Sequence, residues 1–264
     1  MTDPTLAHDL RIETGRGAIF VRLFWHETSL ETAPAPIVLF HDSLGAVELW
    51  RSFPQALAEA TSRPVIAYDR LGFGRSDAFP GALPADFIAA EGHDTLPLLQ
   101  KAFGFTRFIA CGHSVGGGMA VETAGRYRED CLAVVTMGAQ AFIEERTLDG
   151  IRVARAAFQQ PEELARLARY HGDKARWVVD AWTETWLSSE FAGWTLDAAL
   201  AQVACPLLAI HGEADEFGSP AHPGRIAEGR GRAVLLPGIG HNPHREAEAP
   251  TVALIADFLA GLDG

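Results

Sequence analysis

Short, continuously apolar runs recur along the chain, most of them alternating with helix-patterned stretches, and this alternation limits the fold more than any other feature. Ile37–Phe40, Val65–Tyr68, Phe108–Cys111, Leu132–Met137, Leu207–Ile210 and Ala233–Leu236 are each four to six residues long. Runs of that length fit strands buried on both faces, as in a mostly parallel sheet. Two earlier strands, near His8–Ile12 and over Arg16–Phe24, bring the expected number to eight. Helical spacing marks Val47–Ala60, Ala85–Phe103 and Val115–Tyr127. A last helix, Pro250–Leu259, has proline in its first turn and Gly261 just beyond its end, the usual asymmetry of helix termini. Strand, helix, strand in repeated order is the signature of an α/β fold.

One interval interrupts the rhythm. Between Met137 and Leu207 no strand-like run occurs, and Glu162–Tyr170 and Ala175–Leu187 are helix-prone. The interval is too long for a single crossover helix. It is expected to form a helical insertion, or lid, over the C-terminal edge of the sheet, where open α/β sheets hold their ligands. The expected division is a core of residues 1–138 and 195–264 with a helical cap of residues 139–194.

Composition narrows the function. With 48% apolar and 21% charged residues in 264, the chain has ample material for a core and no need of disulfide or metal staples. Basic residues number 22 against 34 acidic, a net charge of −12, and no Lys/Arg block occurs. Such a surface repels phosphate backbones and anionic bilayers, so neither nucleic acid nor membrane is an expected partner. Cys111, Cys131 and Cys205 are widely spaced and read as buried structural thiols. Met1–Leu10 has no basic leader pattern, and no run reaches the roughly 18 apolar residues of a membrane span. A cytoplasmic location is expected, with no metal and no cofactor.

The chemistry gathers where strands end. Gly112-His113-Ser114-Val115-Gly116 lies between the strand Phe108–Cys111 and the helix beginning near Val115. A serine on so sharp a strand-to-helix turn is strained and exposed above the sheet, and small neighbours let the backbone fold that tightly. A serine hydroxyl becomes a nucleophile only when a base takes its proton and a third group orients that base. Asp215 follows the strand Leu207–Ile210, and His241 follows Ala233–Leu236. Ser114, Asp215 and His241 thus each stand just past the C-terminal end of a different strand. Glu213 and Glu216 are rival carboxylates and His244 a rival base, while His113 reads as a packing residue.

A tetrahedral oxyanion needs two aimed N–H donors. Val115, after the serine, is one candidate. The other is Ser43, in the turn His41-Asp42-Ser43-Leu44-Gly45, with Leu44 as alternative. Asp42 is awkward there, because its charge opposes the oxyanion. It is expected to turn away or to pair with Arg70 or Arg75. Asp69–Ser76 has two glycines but lacks the pattern of a phosphate-binding loop, and reads as a structural turn. Trp177, Trp182, Trp186 and Trp194 fall in or beside the insertion, holding the lid down and giving a pocket an apolar wall.

With Gly112–Gly116, Asp215 and His241 in this order, the whole chain resembles the α/β-hydrolase superfamily, and within it the small capped bacterial carboxylesterases and meta-cleavage-product hydrolases. The resemblance implies the α/β-hydrolase fold, an eight-stranded, mostly parallel sheet flanked by helices with a helical cap. It implies Ser114 as nucleophile, His241 as base and Asp215 as orienter, with Ser43 and Val115 forming the oxyanion hole. The departure is Asp42, where many members carry glycine. A cofactor-independent hydrolysis of a small apolar or aromatic carboxylic ester is the leading expectation. Carbon–carbon hydrolysis of a vinylogous diketone, cofactor-free oxygenation and a ligand-binding receptor remain alternatives.

Overall fold

The computed structural model describes residues 6–229 and 231–262. Residues 1–5, part of the stretch read above for leader features, lie outside them. In chain order the strands are β1 (Ala7–Thr14), β2 (Gly17–Phe24), β3 (Ile37–Phe40), β4 (Val65–Asp69), β5 (Phe108–His113), β6 (Cys131–Met137), β7 (Leu207–Gly212) and β8 (Gly231–Leu236). They form one sheet in the order β1-β2-β4-β3-β5-β6-β7-β8. The β1–β2 hairpin and the β2–β4 pair are antiparallel, and every later pair is parallel. The α/β-hydrolase fold expected from the sequence is the one observed.

Alternation along the central strands sorts their side chains between two layers. Val38, Ile66, Ala110 and Val134 pack with Leu96, Leu99, Met119 and Val121 from α2 (Phe87–Phe103) and α3 (Val115–Arg126). Leu39, Ala67, Ile109 and Val135 pack on the other face with Phe53, Leu57, Val252 and Ile255. The last four belong to α1 (Phe53–Thr61) and the terminal helix Glu248–Ala260. Between β6 and β7 run α4 (Glu145–Ala157), α5 (Pro161–His171) and α6 (Ala175–Trp186). A bridge between Phe142 and Thr195 draws the two ends of this helical stretch together. Leu167, Val178 and Val179 from α5 and α6 close over Phe73 in a third apolar cluster.

Register sets the functional edge. His113 pairs with Met137, Met137 with Ile210, and Gly212 with Leu236. The chain therefore leaves β5, β7 and β8 at one rim of the sheet.

Three local readings change. The segment expected as one helix over Val47–Ala60 is a 3-10 turn, Val47–Trp50, followed by α1. Arg51 between them has φ +56°, and α1 starts anew at Phe53 with Pro54, which supplies no N–H, in its first turn. Ala233–Leu236 lies in an edge strand whose face is partly in solvent, with Leu235 44% exposed, because β8 pairs with β7 alone. Cys205 is only half-buried, and its sulfur stands 3.9 Å from that of Cys131. No helix among the described residues is long and apolar enough to cross a membrane.

The turn after β4 is structural, as its sequence suggested. Asp69 is 1% exposed, and its carboxylate accepts hydrogen bonds from the backbone N–H groups of Val47 at 2.6 Å and Arg75 at 2.7 Å. Burial pushes this carboxyl up from its ordinary value. Ser76 Oγ donates to Asp69 O and accepts from Phe20 N, tying the turn to β2. Asp69→Ala strands two donors, the backbone N–H groups of Val47 and Arg75. A loss of about 2–4 kcal/mol in urea unfolding is expected; a loss below about 0.5 kcal/mol, the scale of an ordinary surface substitution, contradicts this role.

Candidate active site

Ser114 stands between β5 and α3 with φ +54° and ψ −125°. A non-glycine residue in that conformation carries strain of order 1–3 kcal/mol, which surrounding structure must hold in place. The holding is visible. Ser114 N donates to Met137 O at 2.8 Å and Gly117 N donates to Ser114 O at 2.9 Å. A Cβ on Gly112 would lie 2.0 Å from Gly116 O, and one on Gly116 would lie 2.0 Å from Phe40 O. Only glycine fits at either position, as the tight turn required. Ser114 itself is 8% exposed, with the positive end of the α3 dipole at its back.

His241 follows β8, and its Nδ1 lies 2.8 Å and 3.0 Å from the two carboxylate oxygens of Asp215. Asp215 is 1% exposed and also accepts from the backbone of Phe217 at 2.7 Å and Gly218 at 3.1 Å. His211 Nε2 approaches its other oxygen at 3.2 Å. Burial alone would raise this carboxyl. The His241 hydrogen bond and charge, then His211 and the Phe217 N–H, outweigh it and hold Asp215 below the ordinary carboxylate range. Of the other candidates, Glu213 and Glu216 are exposed, and His244 packs against Trp50 at 4.8 Å between ring centroids.

Ser114 and His241 line the same pocket, of about 150 Å³, with Ser43, Trp182, Trp186 and Phe217 among its walls. Among the described residues the serine hydroxyl has no hydrogen-bond partner, so it is not committed elsewhere. Catalytic hydrogen bonds often close only when substrate is bound. His113 is buried on the far side of the turn, where its Nε2 donates to His241 O at 2.8 Å. It thereby supports the backbone of His241, which is more than the packing role read from sequence.

The turn of residues 42–45 is closed by Gly45 N donating to Asp42 O at 3.1 Å, and Ser43, Leu44 and Asp42 all face the pocket. Val115 opens α3, whose first N–H groups have no intrahelical partners. The expectation that Asp42 pairs with Arg70 or Arg75 is corrected. Arg70 Nη2 donates to the Asp42 carbonyl at 3.0 Å, not to the carboxylate, and Arg75 pairs with Asp9. The turn presents its carbonyl to Arg70, which leaves the Asp42 side chain on the flank of His113, 3.9 Å from Nδ1. That separation is longer than a hydrogen bond. Burial works against the Asp42 charge, but His113, Arg245 and His41 together outweigh it and keep the carboxyl well below its ordinary range.

Sequence reasoning missed His211, which carries no signal beyond its place on β7, and two contacts from the inserted helices. Arg146 Nη1 donates to Asp215 O at 3.1 Å, and Thr147 Oγ1 donates to Phe217 O at 2.6 Å. The first turn of α4 thus grips the loop that carries Asp215. His171, at the end of α5, joins two loops of the core. Its Nδ1 accepts from Gly74 N at 2.8 Å and its Nε2 donates to Leu44 O at 3.0 Å.

The profile of the alpha/beta hydrolase fold matches residues 35–175. The chain is 28% identical over 203 residues to serine hydrolase BPHL of Homo sapiens, covering 74% of this chain and 69% of that protein. Its structure is similar to the enol-lactonase of Burkholderia xenovorans LB400, with a TM-score of 0.72 and 20% identity over 95% of this chain and all of that one (100%). It is also similar to the proline iminopeptidase of Mycobacterium smegmatis, with a TM-score of 0.71 and 23% identity over 97% and 99% of the two chains. These structural likenesses speak for the fold alone.

His171 makes the inserted helices sensitive to acid. It is 1% exposed, and burial pushes its ring from the usual 6.5 down to about 4. As pH falls below 6.5 the unfolded chain takes up a proton that the folded chain refuses until about 4, so stability is lost across that window. One such group contributes roughly 3 kcal/mol to the loss. In His171→Gln, urea midpoints measured from pH 7 to pH 4 should start lower and fall less steeply. An unchanged slope contradicts a neutral, bridging imidazole.

Proposed function

Because the chain belongs to the alpha/beta hydrolase fold family, we propose that it is a cytoplasmic serine hydrolase cleaving a small apolar or aromatic carboxylic ester, without a cofactor. Ser114 is the nucleophile, His241 the general base and Asp215 the group that orients it. Nε2 of His241 takes the serine proton as Oγ attacks the ester carbonyl. The resulting oxyanion is met by the backbone N–H groups of Val115 and Ser43. Collapse expels the alcohol, which receives its proton from His241, and leaves an acyl group on Ser114. Water activated by the same imidazole then attacks the acyl-enzyme and releases the acid.

The observation that carries this reading is the two-oxygen contact of Asp215 with His241 Nδ1. It puts the proton on Nδ1 and leaves the Nε2 lone pair for a hydroxyl in the pocket that both Ser114 and His241 line. Trp182, Trp186, Phe217 and Ile151 favour an apolar acyl or alcohol group, and a volume of about 150 Å³ favours a small one. Helices α4 to α6 serve as the lid, since two of those tryptophans stand on α6.

A fluorophosphonate probe should label the wild-type protein at Ser114 and leave Ser114→Ala unlabelled. Across p-nitrophenyl esters of increasing acyl length, short acyl chains should give the highest kcat/KM. Ser114→Ala should lower it by at least about 10⁴-fold, and Asp215→Asn by about 10³–10⁴-fold. Failure of the wild-type protein to label, or ester turnover that survives Ser114→Ala, overturns the proposal.

A further inference from the structure

A second cleft lies apart from the pocket that holds Ser114. It has a volume of about 340 Å³ and lies between the β1–β2 hairpin, the turn after β4 and α2. That volume is within the roughly 300–1,000 Å³ of small-molecule sites. Ile19, Leu71, Leu83 and Phe87 give it apolar walls. Arg70 and Glu91 also line it, and neither is part of the mechanism above.

Arg70 is 3% exposed, yet its guanidinium donates a single hydrogen bond to protein among the described residues, from Nη2 to Asp42 O. Its Nε is buried with no partner, and its Cζ stacks 4.0 Å from the Phe73 ring centroid. A guanidinium has five N–H donors, and burying a charge so sparsely bonded is costly. Tyr68 OH at 2.9 Å and Thr95 Oγ1 at 2.8 Å both donate to Glu91 Oε1, so this carboxylate balances Arg70 without bonding to it. Arg16 and Asp94, also in the lining, pair with each other. The cleft therefore has an apolar wall, a balanced charge and a surplus of donors.

We propose that this cleft is a second binding site, for an uncharged molecule with an apolar body and one strong acceptor such as a ketone, ester or amide carbonyl, to which the Arg70 guanidinium donates. A free carboxylate is disfavoured, because Glu91 and Asp94 already supply the negative charge. The site does not depend on the hydrolytic reading of Ser114. It is joined to the Ser43 turn through the Arg70–Asp42 hydrogen bond.

The test is a titration of Ile/Leu methyl-labelled protein with acetophenone, followed by proton–carbon correlation spectra. Saturable shifts are expected at Ile19, Leu71, Leu83 and Leu98, which line this cleft, and they should persist in Ile151→Trp, which fills the smaller pocket. Ala90→Trp, which fills the cleft, should abolish them. Arg70→Met should weaken binding about tenfold or more, as loss of a charged hydrogen bond does; if that variant does not fold, Ala90→Trp still decides. No saturable shift at these methyls, shifts confined to Leu44 and Ile151, or binding unaffected by Ala90→Trp overturns the site. Benzoate binding as tightly as acetophenone overturns the preference for an uncharged ligand.

Discussion

The buried carboxylate of Asp215 is the interaction on which the rest of the site depends. A charge in so dry a place is tolerated only when donors surround it, and three do: His241 and the N–H groups of Phe217 and Gly218, while the His211 ring, whose Nε2 donates to Gly218 O, stands 3.2 Å from the carboxylate. Two of those donors come from the loop that carries the carboxylate, so the same contacts shape the loop and orient the imidazole. The inserted helices add to it, since Arg146 and Thr147 hold the carbonyls of Asp215 and Phe217. The first turn of α4, Asp215 and His241 are one connected unit.

The second organising element is a set of buried imidazoles. His41, His113, His171, His211, His222 and His244 are each at most 1% exposed. Burial is the leading cause that pushes every one of these rings down. A neutral imidazole donates at one nitrogen and accepts at the other, which suits it to join two loops that both need a partner. His171 does so between Gly74 and Leu44, and His222 between Ala141 N and Glu144. The same property makes the scaffold vulnerable to acid. Asp42, half-buried at the pocket, and the buried Arg70 show the opposite economy, each charged with few direct bonds.

Much of this was legible in the sequence because the physics is local. A short continuous apolar run marks a strand, and the glycines around Ser114 follow from the crowding of Phe40 and Gly116 on that turn. The convergence of the three strand ends followed from parallel order alone. What could not be read depends on register and on side-chain direction. Nothing in its spacing distinguishes His211 from any other strand residue, and only the β7 geometry sets it against Asp215. The carbonyl of Asp42, and not its carboxylate, meets Arg70 because of the turn's orientation. The partly exposed β8 reflects an edge position that an apolar run cannot announce. Pro54 was readable as a break in Val47–Ala60, yet the helical spacing on both sides concealed it.

In the proposed reaction Asp215 fixes His241 with its proton on Nδ1 and a free lone pair on Nε2. Nitrogen-15 NMR of histidine-labelled protein at neutral pH reads that tautomer. A His241 Nδ1 that carries the proton and an Nε2 that does not are expected, with this preference lost in Asp215→Asn. A proton on Nε2 in the wild-type protein, or a tautomer indifferent to Asp215, would contradict it.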